Sequence, residues 1–574
     1  MHVLLIMNMK KIFLLIIIFT LSFNLKAQLA PHKYLVKFTD KNNSPYSISN
    51  PSSFLSAKAI TRRLNQGITI KYNDLPVSPA YVDSIINTGV TLLCKSKWFN
   101  SVTIYTTDSL ALVKIQSFPF VVSVDSVARI NKNSQNLILA QNNKLSPIDL
   151  SGKSTEYQNN NYANAKINSY DYGFAFNQIS MISADYLHNH GYCGQGMTIA
   201  VIDAGFWNVD SLSVFDSLWI NNQILGFKDF VEPGDDVFRK SIHGMMVLSI
   251  MGGNIPGQIV GTAPKANYWL LRSEDAVTEN IIEEYNWASA AEFADSVGAD
   301  VINSSLGYTV FNAPWMDHTY ADMNGHTAPG SIVAAIAASK GIIVCNSAGN
   351  SGASPWHYIG CPADADSILT VGAVDYQGIY ASFSSTGPTA DGRVKPTVAT
   401  QGEGTVIAST IGGTTSGNGT SFSSPVLAGA VACLWQAFPS MTYMQIIEAI
   451  KESASQFNNP DSLLGYGIPN FAAADLILSG TQIHNLDNEN IVNVFPNPFS
   501  NILYILFHSN DTQYVDINIF DITGKKVFSE TNLHKNIGYN YFSIGKISNI
   551  AKGLYIIRIS SNGNIFSMKL MKVE

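Results

Sequence analysis

Thr198-Ile199-Ala200-Val201-Ile202-Asp203 decides the fold: an unbroken apolar run that ends on a carboxylate. A strand with one wet face alternates apolar and polar residues, whereas a strand covered on both faces reads as a continuous apolar run. Gly298-Ala299-Asp300-Val301-Ile302-Asn303 and Gly341-Ile342-Ile343-Val344-Cys345 are of the same type. Each of these two follows a helix-like stretch, Ile281 to Ser296 and Ser331 to Ser339. Buried strands alternating with helices predict a parallel α/β sheet. In such sheets ligand sites form beyond the carboxyl ends of the strands, which is where Asp203 falls.

Two further segments place a polar group where packing alone does not ask for one. Ser241-Ile242-His243-Gly244 sets a His at the start of an apolar helix-like run. Gly417-Asn418-Gly419-Thr420-Ser421 sets a Ser in a Gly-rich turn ahead of a buried helix read as Val426 to Ala437. A Ser hydroxyl becomes nucleophilic when an imidazole takes its proton, and a carboxylate fixes that imidazole's tautomer and charge. Read singly, each residue has an ordinary explanation: a turn aspartate, a structural histidine, a helix cap. Together, in the order Asp, His, Ser, they form one of the known catalytic orders. An esterase of the α/β-hydrolase kind needs G-x-S-x-G and the order Ser, acid, His, and the sequence has neither. A zinc hydrolase needs HExxH or clustered ligands. His188-Asn189-His190 lacks such partners and reads as a surface helix end.

The stretch Gly419 to Gly429, with the Asp203 and His243 segments, resembles the active-site blocks of the subtilisin-like serine proteases, the subtilases. The resemblance implies Asp203 as orienting carboxylate, His243 as general base and then acid, and Ser421 as nucleophile. It implies Asn350, in Ser347-Ala348-Gly349-Asn350, as an oxyanion donor beside the Ser421 backbone N–H. It also implies that Ser305-Leu306-Gly307 pairs with an extended substrate, and that Ser347, Ala348 and Gly349 form the facing wall of the primary pocket. The chain departs from the family's usual pattern at Ala204, where Ser or Thr is usual, at Met245 for Thr, and at Lys395-Pro396-Thr397 for Lys-Pro-Asp. None of these removes a catalytic group.

The flanks resemble the family's accessory parts. Asp74-Leu75-Pro76-Val77-Ser78 and Ser96-Lys97-Trp98-Phe99-Asn100 are similar to pro-regions of Bacteroidetes subtilases, which implies an intramolecular inhibitor that assists folding. Val494-Phe495-Pro496-Asn497-Pro498-Phe499, Phe520-Asp521-Ile522-Thr523-Gly524-Lys525 and the closing Lys569-Leu570-Met571-Lys572-Val573 resemble the type A sorting domain of type IX secretion. A permanent accessory domain at the front and an adhesive or carbohydrate-binding β-domain at the back are the alternatives.

The whole chain fits that plan. Its 574 residues allow three or four domains, and 46% hydrophobic with 13% charged residues exclude a charge-rich disordered chain. A net charge of -7 without a basic run argues against nucleic acid as a partner. Met9-Lys10-Lys11, an apolar stretch from Ile12 to Phe19, and Leu25-Lys26-Ala27 have the three parts of a secretory signal. Five scattered cysteines make no disulfide framework. Cys345 and Cys361 are close enough in sequence to pair, and buried thiols are the equal reading.

The expected fold class is therefore a subtilisin-like parallel-sheet α/β catalytic domain, preceded by a small α+β pro-region and followed by a small all-β sandwich. The expected divisions are 1–27 signal peptide, 28–130 pro-region, 131–169 linker with a maturation site, 170–480 catalytic domain, 481–490 linker and 491–574 sandwich. The expected activity is that of a serine endopeptidase, exported to the medium or the outer cell surface, acting on protein or peptide substrates. It needs no cofactor or metal for its chemistry, and a structural calcium ion is left open. The rival from another class is a catalytically silent subtilase-like surface protein that binds without cutting.

Overall fold

Ile199 and Val201 point into one apolar core and Ala200 and Ile202 into a second on the opposite face of the sheet. This is why the strand Thr198–Asp203 carries no polar alternation. The protein, seen here as a computed structural model, is described over residues 32–128, 170–480 and 492–573, apart from 510–512, 536–537, 546, 548 and 562–563. The expected leader and both expected linkers lie outside the described residues.

Seven strands form the central sheet, in the order Val398–Gln401, Leu369–Val374, Ile343–Ser347, Val301–Ser304, Thr198–Asp203, Asn267–Arg272 and Ile224–Asp229. All neighbours run parallel. One core holds the helices His243–Gly252 and Thr420–Ala437, and the other holds Ile282–Val297 and Pro329–Ser339.

The serine helix begins earlier than the sequence suggested. Ser421 lies in its first turn and Pro425 inside it. A proline has no N–H to give the carbonyl four residues back, which here belongs to Ser421. That carbonyl accepts instead from the Ser305 hydroxyl at 2.9 Å, so the helix runs through the proline without an orphaned acceptor.

The pro-region is a four-stranded antiparallel sheet, in the order Thr91–Ser96, Ser101–Tyr105, Lys33–Phe38 and Val121–Ser126. It rests on the helix Ile282–Val297 through apolar packing of Leu35, Val127 and Trp98 and through a set of buried charges. Asp295, fully buried, accepts from Arg62 at 2.6 Å, from Arg63 at 2.7 and 2.8 Å and from Lys97 at 2.9 Å. Glu292 accepts from the Ser96 hydroxyl and from the backbone N–H groups of Lys97 and Trp98. Asp74 pairs with Arg63 and with Lys340 of the catalytic domain. Burial works to raise the Asp295 carboxyl, but Lys97, Arg62 and Arg63 overcome it and hold the group well below the ordinary carboxylate range. Val127 then accepts from the Ile282 N–H, setting the end of the described pro-region at the rim of the catalytic domain.

Two antiparallel sheets close the C-terminal sandwich. Val492–Phe495, Leu503–Ser509 and Gly538–Ile544 make one, and Lys526–Lys535, Gln513–Asp521, Gly553–Ser561 and Asn564–Lys572 the other. Its seat on the catalytic domain is aromatic. Tyr186 meets Tyr541 edge to face at 5.3 Å, Tyr504 at 5.9 Å and Phe495 at 6.1 Å, and Tyr504 stacks on Tyr541. One hydrogen bond joins Asn470 to the Tyr539 carbonyl.

Candidate active site

The three segments singled out in the sequence meet at the carboxyl edge of the sheet. Asp203 ends its strand, and His243 opens a helix that packs directly against that strand end. A Cβ at Gly244 would lie 2.4 Å from the Gly205 carbonyl and 2.9 Å from the Asp203 Cβ, so only glycine permits the approach. The imidazole consequently reaches its carboxylate: His243 Nδ1 donates to Asp203 Oδ1 at 2.8 Å. Asp203 is 0% exposed, His243 3% and Ser421 8%. With its proton on Nδ1, the ring has its lone pair on Nε2, ready to accept.

Asp203 Oδ1 also accepts from the Ala204 N–H at 2.7 Å, while Oδ2 is buried with no hydrogen-bond partner. Ser421 Oγ donates to the Ser305 carbonyl at 3.3 Å. The hydroxyl is thus turned toward the edge segment rather than toward the imidazole. Catalytic hydrogen bonds are often long or misaligned before substrate binds.

Asn350 is held by the residue before the serine. Its Oδ1 accepts from the Thr420 N–H at 2.8 Å and from the Thr420 hydroxyl at 3.0 Å. That leaves Nδ2 as the free donor. A Cβ at Gly419 would sit 3.7 Å from both Asn350 Nδ2 and the Ser421 backbone nitrogen, so the two donors flank one small space. Thr420, which fixes the amide's direction, escaped the sequence reading although it stands in the quoted block. Its hydroxyl also accepts from the Gly349 N–H.

The remaining expected site residues gather here as well. Ser305 exchanges two hydrogen bonds with Ser421, the Leu306 carbonyl accepts from Asn346 beside Ser347, and Gly307 is exposed. Ala348 is anchored to Val371. Outside the site, the third departure leaves Lys395 fully buried on the Ile368 carbonyl and the hydroxyls of Thr370 and Thr397; desolvation pulls its ammonium down to about 7.

One reading needs correction, and one pair of open alternatives is decided. His188 is buried, not on a surface helix end: it bonds the Tyr172 hydroxyl at 2.7 Å and the Thr262 carbonyl at 3.0 Å, and burial lowers it to about 4. Cys345 and Cys361 are unpaired thiols that lie in different cores on opposite faces of the sheet, as all five cysteines are free and buried.

As to calcium, the oxygens of Glu274, Glu279 and Glu283 lie within 4.8 Å of one another and are all buried. An oxygen-only donor set is the kind calcium takes. The Tyr308 hydroxyl donates to Glu274 at 2.9 Å. Such an ion would hold structure; no reacting group in the triad region depends on it.

Fold and site together define a parallel-sheet α/β domain with an Asp, a His and a Ser gathered at the carboxyl edge of its sheet. The family model described as "Subtilase family" matches residues 194–467. Subtilisin E of Bacillus subtilis is 32% identical over 302 residues, covering 52% of this chain and 70% of its own. The subtilisin of Bacillus pumilus is also 32% identical over 302 residues, with 97% of its length covered. The solved MycP3 protease of a type VII secretion system is similar at 20% identity and a TM-score of 0.40, over 52% of this chain and 87% of that one. The chain belongs to the subtilase family and is a serine-type endopeptidase. Residues 33–142 match the "Peptidase S8 propeptide domain, Bacteroidota", and 493–573 match the "Secretion system C-terminal sorting domain". The sorting domain marks the chain for export. Among the described residues no helix is long and apolar enough to cross a membrane.

Proposed function

We propose that Asp203, His243 and Ser421 are the catalytic triad of a secreted endopeptidase. The observation that carries this reading is the 2.8 Å bond from His243 Nδ1 to Asp203, which commits Nε2 to accepting a proton. On substrate binding Ser421 Oγ–H leaves the Ser305 carbonyl for Nε2, and Oγ attacks the scissile carbonyl carbon. Negative charge gathers on the carbonyl oxygen, where Asn350 Nδ2 and the Ser421 N–H donate to it. His243 then protonates the leaving amine, and water hydrolyses the acyl-enzyme by the same route. The substrate chain lies between Ser305-Leu306-Gly307 and Ser347-Ala348-Gly349. The chemistry requires no cofactor.

Around this core we place a leader at 1–27, an inhibitory pro-region at 28–130, maturation within 131–169, the catalytic domain at 170–480, a second linker at 481–490, and a sorting domain at 491–574 that engages the type IX secretion machinery to cross the outer membrane. A fluorophosphonate probe on the processed protein tests the centre. It labels wild type and fails on Ser421→Ala, whose peptide hydrolysis falls by about a millionfold, the scale known for subtilisin's own triad. Asn350→Leu lowers turnover by about a hundred- to a thousandfold, again the scale of subtilisin's oxyanion asparagine, with KM within a few fold. An unlabelled wild-type protein favours the silent binding protein.

A further inference from the structure

Behind the substrate edge, outside the triad, three side chains of different chemistry converge. Glu284 comes from the first turn of the helix Ile282–Val297, His318 from the loop after the Val301–Ser304 strand, and Cys361 from the segment paired with Tyr308. His318 Nε2 lies 2.6 Å from Glu284 Oε1, and Cys361 Sγ lies 3.3 Å from Glu284 Oε2. All three ligand atoms fall within 4.8 Å of one another. Glu284 and Cys361 are fully buried, and the imidazole is 9% exposed.

We propose that Glu284, His318 and Cys361 form a binding site for a borderline divalent transition metal, zinc foremost, with water as fourth ligand. Zinc takes thiolate, imidazole and carboxylate at about 2.0–2.3 Å, which sets tetrahedral ligands about 3.3–3.8 Å apart. The sulfur stands 3.3 Å from Glu284 Oε2 and the imidazole nitrogen 2.6 Å from the other oxygen, Oε1, so on binding the imidazole withdraws from Oε1 and the carboxylate turns to present one oxygen to the ion. A thiolate and a carboxylate neutralise a divalent ion. Among the described residues the ion-pair partner of Glu284 is the His318 imidazole, with no lysine or arginine, so a metal ion would replace that pairing rather than compete with a fixed cation.

The surroundings hold the ligands in place. The Gly330 N–H donates to Glu284 Oε2 at 2.8 Å, the kind of outer hydrogen bond that orients a ligating carboxylate. A Cβ at Gly330 would lie 2.7 Å from Cys361 Sγ, so the glycine keeps the space that the sulfur occupies. Phe311 packs edge-on against the His318 ring at 5.4 Å. The donor set, one sulfur, one nitrogen and one oxygen, differs from the oxygen-only group of Glu274, Glu279 and Glu283 and selects a softer ion. A bound ion would pin the His318 loop to the Tyr308–Cys361 pairing, directly behind Ser305-Leu306-Gly307. This inference does not depend on the triad assignment.

The test is cobalt(II) titration of the full chain carrying Ser421→Ala, so that nothing is cut. One equivalent of cobalt should give the near-ultraviolet thiolate-to-cobalt absorption and the strong visible bands of a four-coordinate site, both displaced by zinc. Cys361→Ser should abolish the near-ultraviolet band, and Cys345→Ser should leave it intact. His318→Gln, on a loop and less exposed to folding failure, should keep that band and weaken affinity by about tenfold or more. The proposal is overturned if saturating cobalt gives no thiolate band, as binding at the oxygen-only group would, if the band survives Cys361→Ser, or if His318→Gln leaves the affinity unchanged.

Discussion

Each flanking domain sits on the catalytic domain beside a buried aspartate, and the two aspartates live under opposite rules. Asp295, beneath the pro-region, is ringed by Arg62, Arg63 and Lys97 and stays ionised. Asp185, on the helix Ala184–Asn189 that carries Tyr186, has no cation, and burial pushes it up to about 7. It lies within electrostatic reach of Tyr504 and Tyr541 of the sandwich. The first seat is directional and fails when one partner is lost; the second is a packing of rings that tolerates polar editing.

The largest expected effect comes from breaking the charged seat. Asp295→Asn takes the counter-charge from Arg62 and Lys97 and leaves Arg63 only Asp74, a loss of about 3–5 kcal/mol. In the full chain carrying Ser421→Ala, amide exchange in the Lys33–Phe38 strand should then quicken by about a hundred- to a thousandfold. If this near-isosteric change leaves exchange within a few fold, the charges are not what fixes the pro-region.

The aromatic seat should answer conservative changes differently. Tyr504→Ala removes a central ring, about 2 kcal/mol, and should raise exchange in the helix Ala184–Asn189 by about thirtyfold. Tyr504→Phe should keep exchange within twofold of wild type. A large effect from losing the hydroxyl alone would erase the contrast with Asp295.

The smallest effect is in pH and sharpens the contrast by sign. Asp185 titrates near 7 folded against 3.8 unperturbed, so the folded protein holds the extra proton and stability falls as pH rises from about 4 to about 7. His188, near 4 folded against 6.5 unperturbed, contributes stability that is present above 6.5 and lost as pH falls toward 4. The two slopes, each at most about 1.4 kcal/mol per pH unit, oppose one another. Asp185→Asn should therefore unmask a stability that climbs from pH 4 to 6.5, read by chemical denaturation at each pH. A curve unchanged by the substitution would show that Asp185 does not hold its proton.

What was legible in the sequence follows the range of the forces involved. The buried strands could be read because burial on both faces writes itself into consecutive residues, and Asp203, His243 and Ser421 because each breaks a local packing pattern. The seats of the flanking domains could not: Arg62 and Asp295 lie 233 residues apart, and nothing near either announces the other. His188 was misplaced because its burial is set by Tyr172 and Thr262, not by its own helix. The strands Leu503–Ser509, Lys526–Lys535 and Gly538–Ile544 went unread, and Lys526–Lys535 carries Lys, Glu and His residues that blur its alternation. The sequence places the helix start at Val426, after Pro425, and the Ser305 hydroxyl explains how the helix can run through the proline from Thr420.

That proline has a consequence for how the enzyme can change over evolutionary time. Since Pro425 withholds its hydrogen from Ser421, Ser305 supplies it, and the same residue's carbonyl receives the Ser421 hydroxyl. With Ser305 on the substrate edge and Ser421 the nucleophile, as proposed, one position would be wired both to the recognition of the substrate chain and to the resting posture of the serine. On that assignment, drift at residue 305 would retune preference and speed together, and selection for a new diet of substrates would work through the opposite wall, where among the described residues Ser347 and Ala348 make no such exchange with Ser421.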